Sequence, residues 1–320
     1  MNTKKVDRAT AEDVRYAYRL ILGRIPDARG LESFSRLVRD NVISPGDLAK
    51  IFLGSNEFYS RYSSHMKEVA LGGFVVMICA DDNDVGKVIA KTGQWEEHVT
   101  NALRENLHAG HGFLDVGANI GYFTALAAYV VGPAGHVVAI EPMDKNLQLI
   151  YATIAKNRFN HVQVHPFAAA EDEGVVCMGT QAGSSNGEVV REWVRTDAPL
   201  FAQTRRLDLL VGAKRFDVVK FDIEGYELHA WRGFNKILDR DRPVVLTEFH
   251  PKCMRENAQV EPREYAELLL RFGDVAVLHF DGKRSACVDS ESLLRLWEQE
   301  DVALNTAGRA HLDLLVIPRH

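Results

Sequence analysis

The sequence lacks the marks of a disulfide-stabilised, zinc-binding or membrane-spanning protein. Its four cysteines lie far apart and form no C-x-x-C pair, so we expect reduced thiols and no structural metal; they are Cys79, Cys177, Cys253 and Cys287. The longest apolar stretch of the first half, Val69 to Ala80, has about a dozen residues, whereas a membrane helix needs roughly 20. We interpret it as a buried strand with its flanks. With no recognisable signal peptide either, we expect a cytoplasmic protein without an integral membrane segment.

The sequence also lacks an excess of basic residues. Its 38 lysines and arginines are outnumbered by 44 aspartates and glutamates, which gives a net charge of −6 and argues against nucleic acid as a partner. Of its 320 residues, 46% are hydrophobic and 26% are charged, which is typical of a globular protein. A chain of this length can form a complete α/β domain and a small second domain.

The segment from Leu114 to Phe123 has the pattern of a buried strand, a glycine-containing turn and an apolar helix. Gly117 and Gly121 lack the Cβ atoms that would keep a ligand from the backbone or block the turn. A second apolar strand ends at Glu141, which stands where dinucleotide-binding folds place the acid that accepts hydrogen bonds from ribose hydroxyls. The pattern therefore predicts a pocket for a nucleoside-containing cofactor.

Two cofactors fit such a pocket, and the sequence favours one of them. A dinucleotide site requires G-x-G-x-x-G, but Asn119 stands where the second glycine would fall, so no pyrophosphate cradle is evident. Asp115 before the turn, the Asn119 amide within it and Glu141 after the next strand better suit a sulfonium-bearing amino acid joined to adenosine. We therefore predict S-adenosylmethionine as the cofactor, with an NAD-dependent oxidoreductase as the competing class of enzyme.

The first 68 residues differ in pattern from the rest of the chain. Apolar residues recur there at helical spacing and predict four short amphipathic helices. The segment resembles a small helical domain marked by a tyrosine, the run Leu-Gly-Arg-x-Pro-Asp and a later Ser-x-Glu-Phe; the matching residues are Tyr18, Leu22 to Asp27, Gly30-Leu31 and Ser55 to Phe58. Such domains often accompany glycan-processing enzymes. We predict a helical accessory domain over residues 1–68, used for partner docking or homo-oligomerisation, and a catalytic domain over residues 69–320.

From Phe74 onward the pattern alternates between strands and helices, which predicts a parallel sheet with helices on its faces. A less regular region runs to about Ala202, and one helix is expected through Leu228 to Ile237. The last two strands, Asp274 to Phe280 and Leu312 to Ile317, look like the terminal antiparallel hairpin of class I methyltransferases. We therefore predict an α/β, Rossmann-like class I fold. It has a seven-stranded, mostly parallel sheet with a terminal antiparallel hairpin, preceded by a small all-α domain.

Two groups of charged residues follow later strands of this predicted sheet. Lys220, Asp222 and Glu224 share one face at the end of a strand, and Glu248 and His250 point to one side at the end of the next strand. Because parallel neighbours bring their carboxyl ends together, we expect both groups in one site above the sheet. The imidazole of His250 is a candidate proton acceptor, and Asp222 is a candidate to deprotonate or orient a hydroxyl group. A salt-bridged, solvated strand end is the structural alternative.

These motifs occur in the order and at the spacing of a known family. The matching elements are the run Asp115 to Gly121, Glu141-Pro142, Leu207-Asp208, the run Lys220 to Glu227, and Glu248. Together they resemble the FkbM family of S-adenosylmethionine-dependent methyltransferases, over roughly Trp95 to Phe249. Tyr226 departs from the pattern, because the family usually has a small residue there.

The resemblance implies which residues bind the cofactor. Asp115 and the turn would surround the amino-acid moiety, Glu141 would bind the ribose, and the end of the third strand would border the adenine. Trp95 and Glu96 belong to a segment that resembles the one that closes over the cofactor, with an ordinary helix start as the alternative. The implied cofactor-binding residues are Trp95, Glu96, Asp115, Gly117, Ala118, Asn119, Gly121, Tyr122, Glu141, Pro142, Phe167, Ala168 and Ala169.

The resemblance also implies the reaction. We expect in-line transfer of a methyl group from S-adenosylmethionine to a hydroxyl oxygen of a small molecule, glycan or glycolipid. A sugar is favoured because of the N-terminal resemblance, and a polyketide or another secondary metabolite is the second choice. A catalytically silent binding module is the non-enzymatic alternative. The groups expected to act on the acceptor are Asp222, His250, Glu248, Lys220 and Glu224.

Two further expectations concern the acceptor. Residues 183–203, including Trp193, are expected to supply hydrogen bonds and a stacking face, with solvated loop as the alternative for each serine. We expect no metal ion, because Lys220 already supplies positive charge beside the acids. An oxygen-rich set able to hold Mg²⁺ through water is nevertheless present in Asp222, Glu224, Glu248 and His250.

Overall fold

The computed structural model describes residues 8–62, 65–180, 184–190 and 200–319. The helices of these residues are α1 (Ala11–Leu20), α2 (Ala28–Asp40), α3 (Pro45–Leu53), α4 (Asn56–Tyr62), α5 (Val85–Thr92), α6 (Glu97–Asn106), α7 (Tyr122–Val131), α8 (Asp144–Asn157), α9 (Leu207–Leu210), α10 (Glu227–Arg232), α11 (Asn235–Asp241), α12 (Pro251–Cys253), α13 (Pro262–Phe272) and α14 (Ser290–Leu304). A π-helical turn covers Met254–Ala258. In this part of the chain, no helix combines the length and the apolar character that crossing a membrane requires.

The strands of the same residues form a central mixed sheet, a hairpin and a small sheet. They are β1 (Met66–Ala70), β2 (Val75–Cys79), β3 (Gly112–Val116), β4 (His136–Ile140), β5 (Val162–His165), β6 (Ala168–Ala169), β7 (Gly174–Thr180), β8 (Gly187–Val189), β9 (Leu200–Arg205), β10 (Val218–Phe221), β11 (Val244–Phe249), β12 (Gly273–Leu278), β13 (Arg284–Cys287) and β14 (Leu312–Pro318).

Within the described residues the central sheet has eight strands, in the order β13-β12-β14-β11-β10-β3-β4-β5. The five strands from β11 to β5 run parallel to one another, and β14 runs antiparallel to both β11 and β12. The α/β architecture and the antiparallel closing pair agree with the predictions, but the predicted number of seven strands is wrong. The eighth strand, β13, forms a hairpin with β12 at the sheet edge. Only Cys287 of its four residues is buried, so the apolar pattern of a strand is missing from its sequence.

The sheet separates two apolar cores. Phe113 and Val218 pack on one side with residues of α6 and α7, whereas Leu114 and Val219 pack on the other side with residues of α10, α11 and α13. Successive side chains of a strand point to opposite faces, and a sheet covered by helices on both faces therefore needs apolar residues at every position. The strands that carry the predicted pocket are thus held rigidly at the centre of the molecule.

The N-terminal helices form their own apolar cluster, as the helical periodicity predicts. Val14, Tyr18 and Phe52 lie at its centre, and Ala152 of α8 extends it toward the central sheet. Hydroxyl or carboxylate side chains before α1, α2 and α3 accept hydrogen bonds from the first turns and so begin these helices. The predicted boundary between residues 68 and 69 falls inside β1, and the division into two domains stays a prediction.

The Leu-Gly-Arg-x-Pro-Asp run stabilises the connection between these helices. The Arg24 guanidinium lies 2.5 Å from Glu57 Oε1 and 4.7 Å from the centre of the Tyr18 ring. Asp27 caps α2 by accepting a hydrogen bond from the Gly30 amide at 2.8 Å. A Cβ atom at position 30 would lie 2.3 Å from the Tyr18 hydroxyl oxygen, so a larger residue does not fit there. The motif residues therefore serve the packing of the helices.

Three segments differ from their predicted structure. The stretch from Val69 to Ala80 belongs to the hairpin β1-β2, because Gly72 and Gly73 have positive φ and turn the chain between the strands. The region before Ala202, expected to be less regular, forms the small sheet of β6, β9, β7 and β8. Its outer face exposes apolar side chains, such as Phe201 at 59% exposure, and this hides the alternation of a half-buried strand. The helix expected through Leu228 to Ile237 is two helices, interrupted at Gly233.

Candidate active site

A cavity of about 320 Å³ lies at the carboxyl ends of β3, β4, β10 and β11. Every residue of the predicted cofactor and reaction sets lines it, except Asp115 and Gly121. The volume is at the lower end of the range found for small-molecule sites, about 300–1,000 Å³. We call the part beside Asn119 and Glu141 the cofactor side, and the part beside Asp222 and Glu248 the acceptor side.

The turn after β3 has the backbone that its glycines predict. Gly117 and Gly121 have φ values of 86° and 90°, and Asn119 has φ of 50°. A Cβ atom at position 117 would lie 1.8 Å from the backbone oxygen of Asp222, and one at position 121 would lie 2.8 Å from Ile150. The glycines are therefore required by close contacts within the protein. The turn after β3 and the end of β10 touch, and this contact joins the two sides of the cavity.

Asp115 lies beneath the cavity. Its side chain is fully buried, and Oδ2 accepts a hydrogen bond of 2.6 Å from the Thr124 hydroxyl of α7. Oδ1 has no hydrogen-bond partner among the described residues. Burial raises the pKa of this carboxyl group, and the nearby Lys220 ammonium opposes the rise. Asp115 is thus linked to the first turn of α7 by a hydrogen bond and to Lys220 by electrostatic attraction.

Glu141 stands at the end of β4, next to the turn after β3. Its carboxylate accepts hydrogen bonds from the backbone amides of Asn119 and Met143, at 2.9 and 2.8 Å, and a longer one from Asn146 at 3.4 Å. Burial raises its pKa to about 7. Each carboxylate oxygen can accept two hydrogen bonds, so capacity for a ribose hydroxyl remains.

The segment 184–190 covers the cofactor side. Asn119 donates a hydrogen bond of 2.6 Å to the Asn186 side chain, and Asn146 donates one of 2.9 Å to the backbone oxygen of Ser185. The Ser184 hydroxyl donates to Asp84 at 2.9 Å. Sequence reasoning missed Asp84 and Asn146, although Asn146 stands in the first turn of the helix that follows Glu141. Trp193 falls in residues 191–199, outside the described part of the chain.

Lys220 is the central cation of the acceptor side. Its ammonium donates a hydrogen bond of 2.5 Å to Asp222 Oδ2 and lies 4.6 Å from the centre of the Phe123 ring. Burial lowers the pKa of this amine, but the carboxylates of Asp222, Glu96 and Asp115 outweigh burial and raise the pKa above its ordinary value. Lys220 therefore stays charged and holds the Asp222 carboxylate in place.

Glu224 reaches the cavity by a route that strand alternation does not predict. The strand β10 ends at Phe221, and Glu224 lies in the following turn with φ of 55°. The expectation that it shares a strand face with Lys220 and Asp222 is therefore wrong, although all three line the cavity. Burial raises its pKa to about 8, and repulsion from the Asp222 carboxylate contributes to the rise.

Glu248 lies at the end of β11 and His250 directly follows this strand, next to the end of β10 as predicted. Burial raises the pKa of Glu248 well above its ordinary value, and repulsion from Glu224 adds to the rise. His250 Nδ1 accepts a hydrogen bond of 3.4 Å from the Cys253 amide at the start of α12. Burial, with repulsion from His311 as a smaller cause, lowers the pKa of His250 to about 4. The imidazole is therefore neutral near pH 7. Because Nδ1 accepts the hydrogen bond from Cys253, Nε2 carries the ring hydrogen and can donate it to an acceptor molecule.

Two residues of the acceptor side come from the last strand and were missed. Because β14 runs antiparallel to β11, its first residues lie beside the last residues of β11, and Asp313 is paired with Glu248. His311 Nδ1 lies 3.5 Å from Glu248 Oε1, and His98 Nε2 lies 2.6 Å from Asp313 Oδ2. The predicted antiparallel course of the last strand could have indicated His311 and Asp313, because it brings the start of β14 to the sheet edge where β11 ends.

The described lining of the cavity is strongly acidic. It contains six carboxyl groups and one ammonium, that of Lys220. Burial raises the pKa of four of these acids: Glu96, Glu141, Glu224 and Glu248. A bound cation favours the ionised form of such groups. This acidic lining fits the sulfonium and ammonium groups of S-adenosylmethionine.

The fold and the cavity define a nucleoside-cofactor-binding α/β domain, and comparison with known proteins gives its family. The model of the methyltransferase FkbM domain matches residues 115–275 of the 320 residues. The chain belongs to this family, whose cofactor is S-adenosylmethionine. No curated protein is similar enough in sequence to count as a relative.

Solved structures with partial similarity include three methyltransferases. The FkbM methyltransferase from Methylobacillus flagellatus KT has 15% identity and a TM-score of 0.41, and the match covers 94% of this chain and 58% of that one. The O-methyltransferase TomG from Streptomyces achromogenes has 14% identity and a TM-score of 0.41, with coverages of 76% and 92%. An O-methyltransferase from Bacillus cereus has 15% identity and a TM-score of 0.39, with coverages of 75% and 91%.

Proposed function

We propose that the protein transfers the methyl group of S-adenosylmethionine to a hydroxyl oxygen of a small molecule or glycan. The observation that carries this proposal is that the predicted cofactor residues and the predicted proton acceptors line one cavity. A sugar hydroxyl is the favoured acceptor, because residues 1–68 resemble a helical domain that accompanies glycan-processing enzymes. A polyketide or another secondary metabolite is the second choice.

On the cofactor side, we assign the ribose to Glu141 and the adenine border to Phe167, Ala168 and Ala169. The Glu141 carboxylate is held by backbone amides, so its position is set before a ligand binds. Trp95 lines the same cavity and offers a ring face to a cation. S-adenosylmethionine supplies a methyl group that its sulfonium already activates. The protein then needs mainly to align the two reactants and to accept a proton, and alignment alone is worth up to about 7–11 kcal/mol in ideal cases.

On the acceptor side, we assign the proton to Asp222 and the positioning of the acceptor hydroxyl to His250. The Lys220 ammonium donates a hydrogen bond to the Asp222 carboxylate and orients it. His250 is neutral because its pKa is lowered to about 4, and its Nδ1 accepts from the Cys253 amide, so its Nε2 hydrogen can be donated to the acceptor. Glu224 and Glu248 have raised pKa values, so they are suited to hold the acceptor by donating or accepting hydrogen bonds.

The competing classes have weaker support. An NAD-dependent oxidoreductase would need room for a pyrophosphate at the turn, where Asn119 stands and bonds to Asn186. Membership of the FkbM family also favours S-adenosylmethionine. A catalytically silent binding module would retain the cofactor site without turnover. For residues 1–68 we propose an accessory role in partner docking or homo-oligomerisation.

The test has a binding step and a turnover step. Calorimetry with S-adenosylmethionine, S-adenosylhomocysteine and NADH should give saturable binding of the first two and none of the third. Mass spectrometry of glycan extracts incubated with the protein and S-adenosylmethionine should then reveal a product heavier by one methylene. Binding of NADH alone would contradict the proposal. Binding of S-adenosylmethionine without a methylated product in glycan or metabolite extracts would favour the binding module.

A further inference from the structure

Three side chains of metal-ligand type meet at the acceptor side of the cavity. Glu96 comes from the start of α6, and His311 and Asp313 come from the start of β14. One ligand atom from each lies within 4.8 Å of the other two. Glu96 and His311 also line the cavity. Ligands about 2.1 Å from an ion lie roughly 3–4 Å apart, so small side-chain rotations would close the group around one ion.

We propose that Glu96, His311 and Asp313 bind one divalent transition-metal ion. From the sequence no metal is expected, and the alternative set for Mg²⁺ is Asp222, Glu224, Glu248 and His250. The structure points to a different set because β14 brings an imidazole and a carboxylate next to Glu96.

Two buried carboxylate oxygens support the proposal, one on the proposed ligand Glu96 and one on Glu248, which is outside the three ligands. Glu96 Oε2 is buried and has no hydrogen-bond partner among the described residues, and the same holds for Oε2 of Glu248, whose residue is 7% exposed. Buried polar atoms are normally hydrogen-bonded, because leaving one unpaired costs free energy. Glu248 points toward the cluster, since its Oε1 lies 3.5 Å from His311 Nδ1. A cation bound beside these two unpaired carboxylate oxygens would compensate for their missing hydrogen bonds.

The groups around the three ligands match the outer layer of a metal site. Metal-binding imidazoles usually interact through their other nitrogen with a carboxylate, and metal-binding carboxylates are themselves hydrogen-bonded. Glu248 stands beside Nδ1 of His311, which leaves Nε2 for an ion. His98 holds Oδ2 of Asp313 at 2.6 Å, which leaves Oδ1. Both His98 and Glu248 are buried, so these orientations are fixed by the core.

The ligand set also indicates which ions fit. Imidazole suits zinc and later transition metals, whereas carboxylates suit manganese and magnesium, so one imidazole with two carboxylates favours ions such as Mn²⁺ or Zn²⁺. Three protein ligands leave open positions on the ion, and these face the cavity because Glu96 and His311 line it. An ion there would bind an acceptor hydroxyl and lower its pKa. This last consequence rests on the proposed methyl transfer, whereas the binding site itself does not.

The experiment uses the full chain without an affinity tag, treated with a chelator and dialysed, and Mn²⁺ as the probe. Calorimetry and the electron paramagnetic resonance signal of free Mn²⁺ should give one saturable site per chain. Exchanging a ligand, as in His311→Gln or Asp313→Asn, should weaken Mn²⁺ binding by more than about 10-fold. Asp274→Asn, at an exposed position near the other end of the same sheet, is the matched control and should bind Mn²⁺ like the wild type.

A further variant separates metal binding from folding. His98→Asn keeps all three ligands and removes the imidazole that orients Asp313, so Mn²⁺ binding should weaken by about 10- to 100-fold while S-adenosylmethionine still binds. The absence of saturable Mn²⁺ binding by the wild type, or unchanged Mn²⁺ binding by both ligand variants, would overturn the proposal. Specific Mn²⁺ binding without methyl transfer under any condition would leave the metal site standing and refute the proposed function.

Discussion

The cofactor side and the acceptor side of the cavity are built in different ways. On the cofactor side, the turn after β3, Glu141 and Asn146 all come from residues 112–146, and they bond to one another. On the acceptor side, the groups come from segments far apart in the chain: Glu96, Asp222, Glu248 and His311. Carboxylate oxygens of Glu96 and Glu248 lack hydrogen-bond partners among the described residues.

This difference matches the ligand that we propose for each side. A site for a fixed cofactor can be encoded in one β-α-β unit whose polar groups already satisfy one another. A site where a reaction occurs keeps buried charges with shifted pKa values, and it obtains them from several strands that end at the same edge. The following experiments test this division, in order of decreasing expected effect.

The largest effect is expected when the candidate proton acceptor, Asp222, and the candidate positioning imidazole, His250, are both removed. The double variant Asp222→Asn with His250→Ala should lower kcat by about 10²- to 10⁴-fold, the usual contribution of a positioned base. Its Kd for S-adenosylmethionine should be unchanged, because neither residue is assigned to the cofactor. Steady-state kinetics and calorimetry measure the two quantities. Asp239→Asn with His108→Ala changes the same residue types at exposed positions and serves as the control. Parallel loss of binding and turnover would contradict the division.

The contact between the two sides should be the most sensitive point for stability. Gly117→Ala places a Cβ atom 1.8 Å from the Asp222 backbone oxygen at a positive φ, so we expect the free energy of unfolding to fall by about 2–5 kcal/mol. Gly110→Ala has nearly the same φ, with no atom within 4 Å of the new Cβ, and should lose only about 1–2 kcal/mol. Urea denaturation measures both. Equal losses of stability in the two variants would mean that the positive φ alone, and not the contact with Asp222, explains why residue 117 is a glycine.

On the cofactor side, Glu141→Gln should affect binding more than turnover. The substitution replaces one carboxylate oxygen by an NH₂ group, which cannot accept the hydrogen bond from the backbone amide of Asn119 or of Met143. It also removes the charged acceptor for the ribose. We expect the Kd for S-adenosylmethionine to rise by about 10- to 100-fold, with kcat at saturating cofactor little changed. Calorimetry and kinetics check this. Glu105→Gln, at an exposed position on α6, is the control, and a large fall in kcat without a change in Kd would refute the assignment.

The smallest effect concerns pH. The pKa of Glu224 is about 8 in the folded protein and near 4.5 when unfolded, so between these values the folded state keeps a proton that the unfolded state has released. This stabilisation is fully present below pH 4.5 and is lost as the pH rises through 8. Relative to Glu224→Gln, the wild type should therefore lose stability between pH 5 and 8, by at least about 1 kcal/mol, because one unit of pKa shift corresponds to about 1.4 kcal/mol. Urea denaturation across this range measures it, and a constant difference between the proteins would contradict the shift.

Prediction from sequence succeeded where the signal is local. The strand, turn and helix around Gly117, the acid at Glu141 and the helical periodicity of the first 62 residues all follow from residue type and spacing. It failed for β13 and for the small sheet, because these strands lie at edges or expose apolar side chains such as Phe201. Glu224 lines the cavity with Lys220 and Asp222, but the prediction relied on strand alternation, whereas a turn with positive φ places the residue there.

The sequence by itself determined the α/β architecture, the family motifs and the glycine-containing turn after β3, because each depends on neighbours within a few turns of chain. Only the tertiary structure decided that Glu96, His311 and Asp313 meet, that Gly117 touches the Asp222 backbone, and that Asp115 lies beneath the cavity. The physical reason is that these relations depend on which strands are adjacent and in which direction they run. Strand order, and the antiparallel course of β14 in particular, brings distant residues to one edge of the sheet.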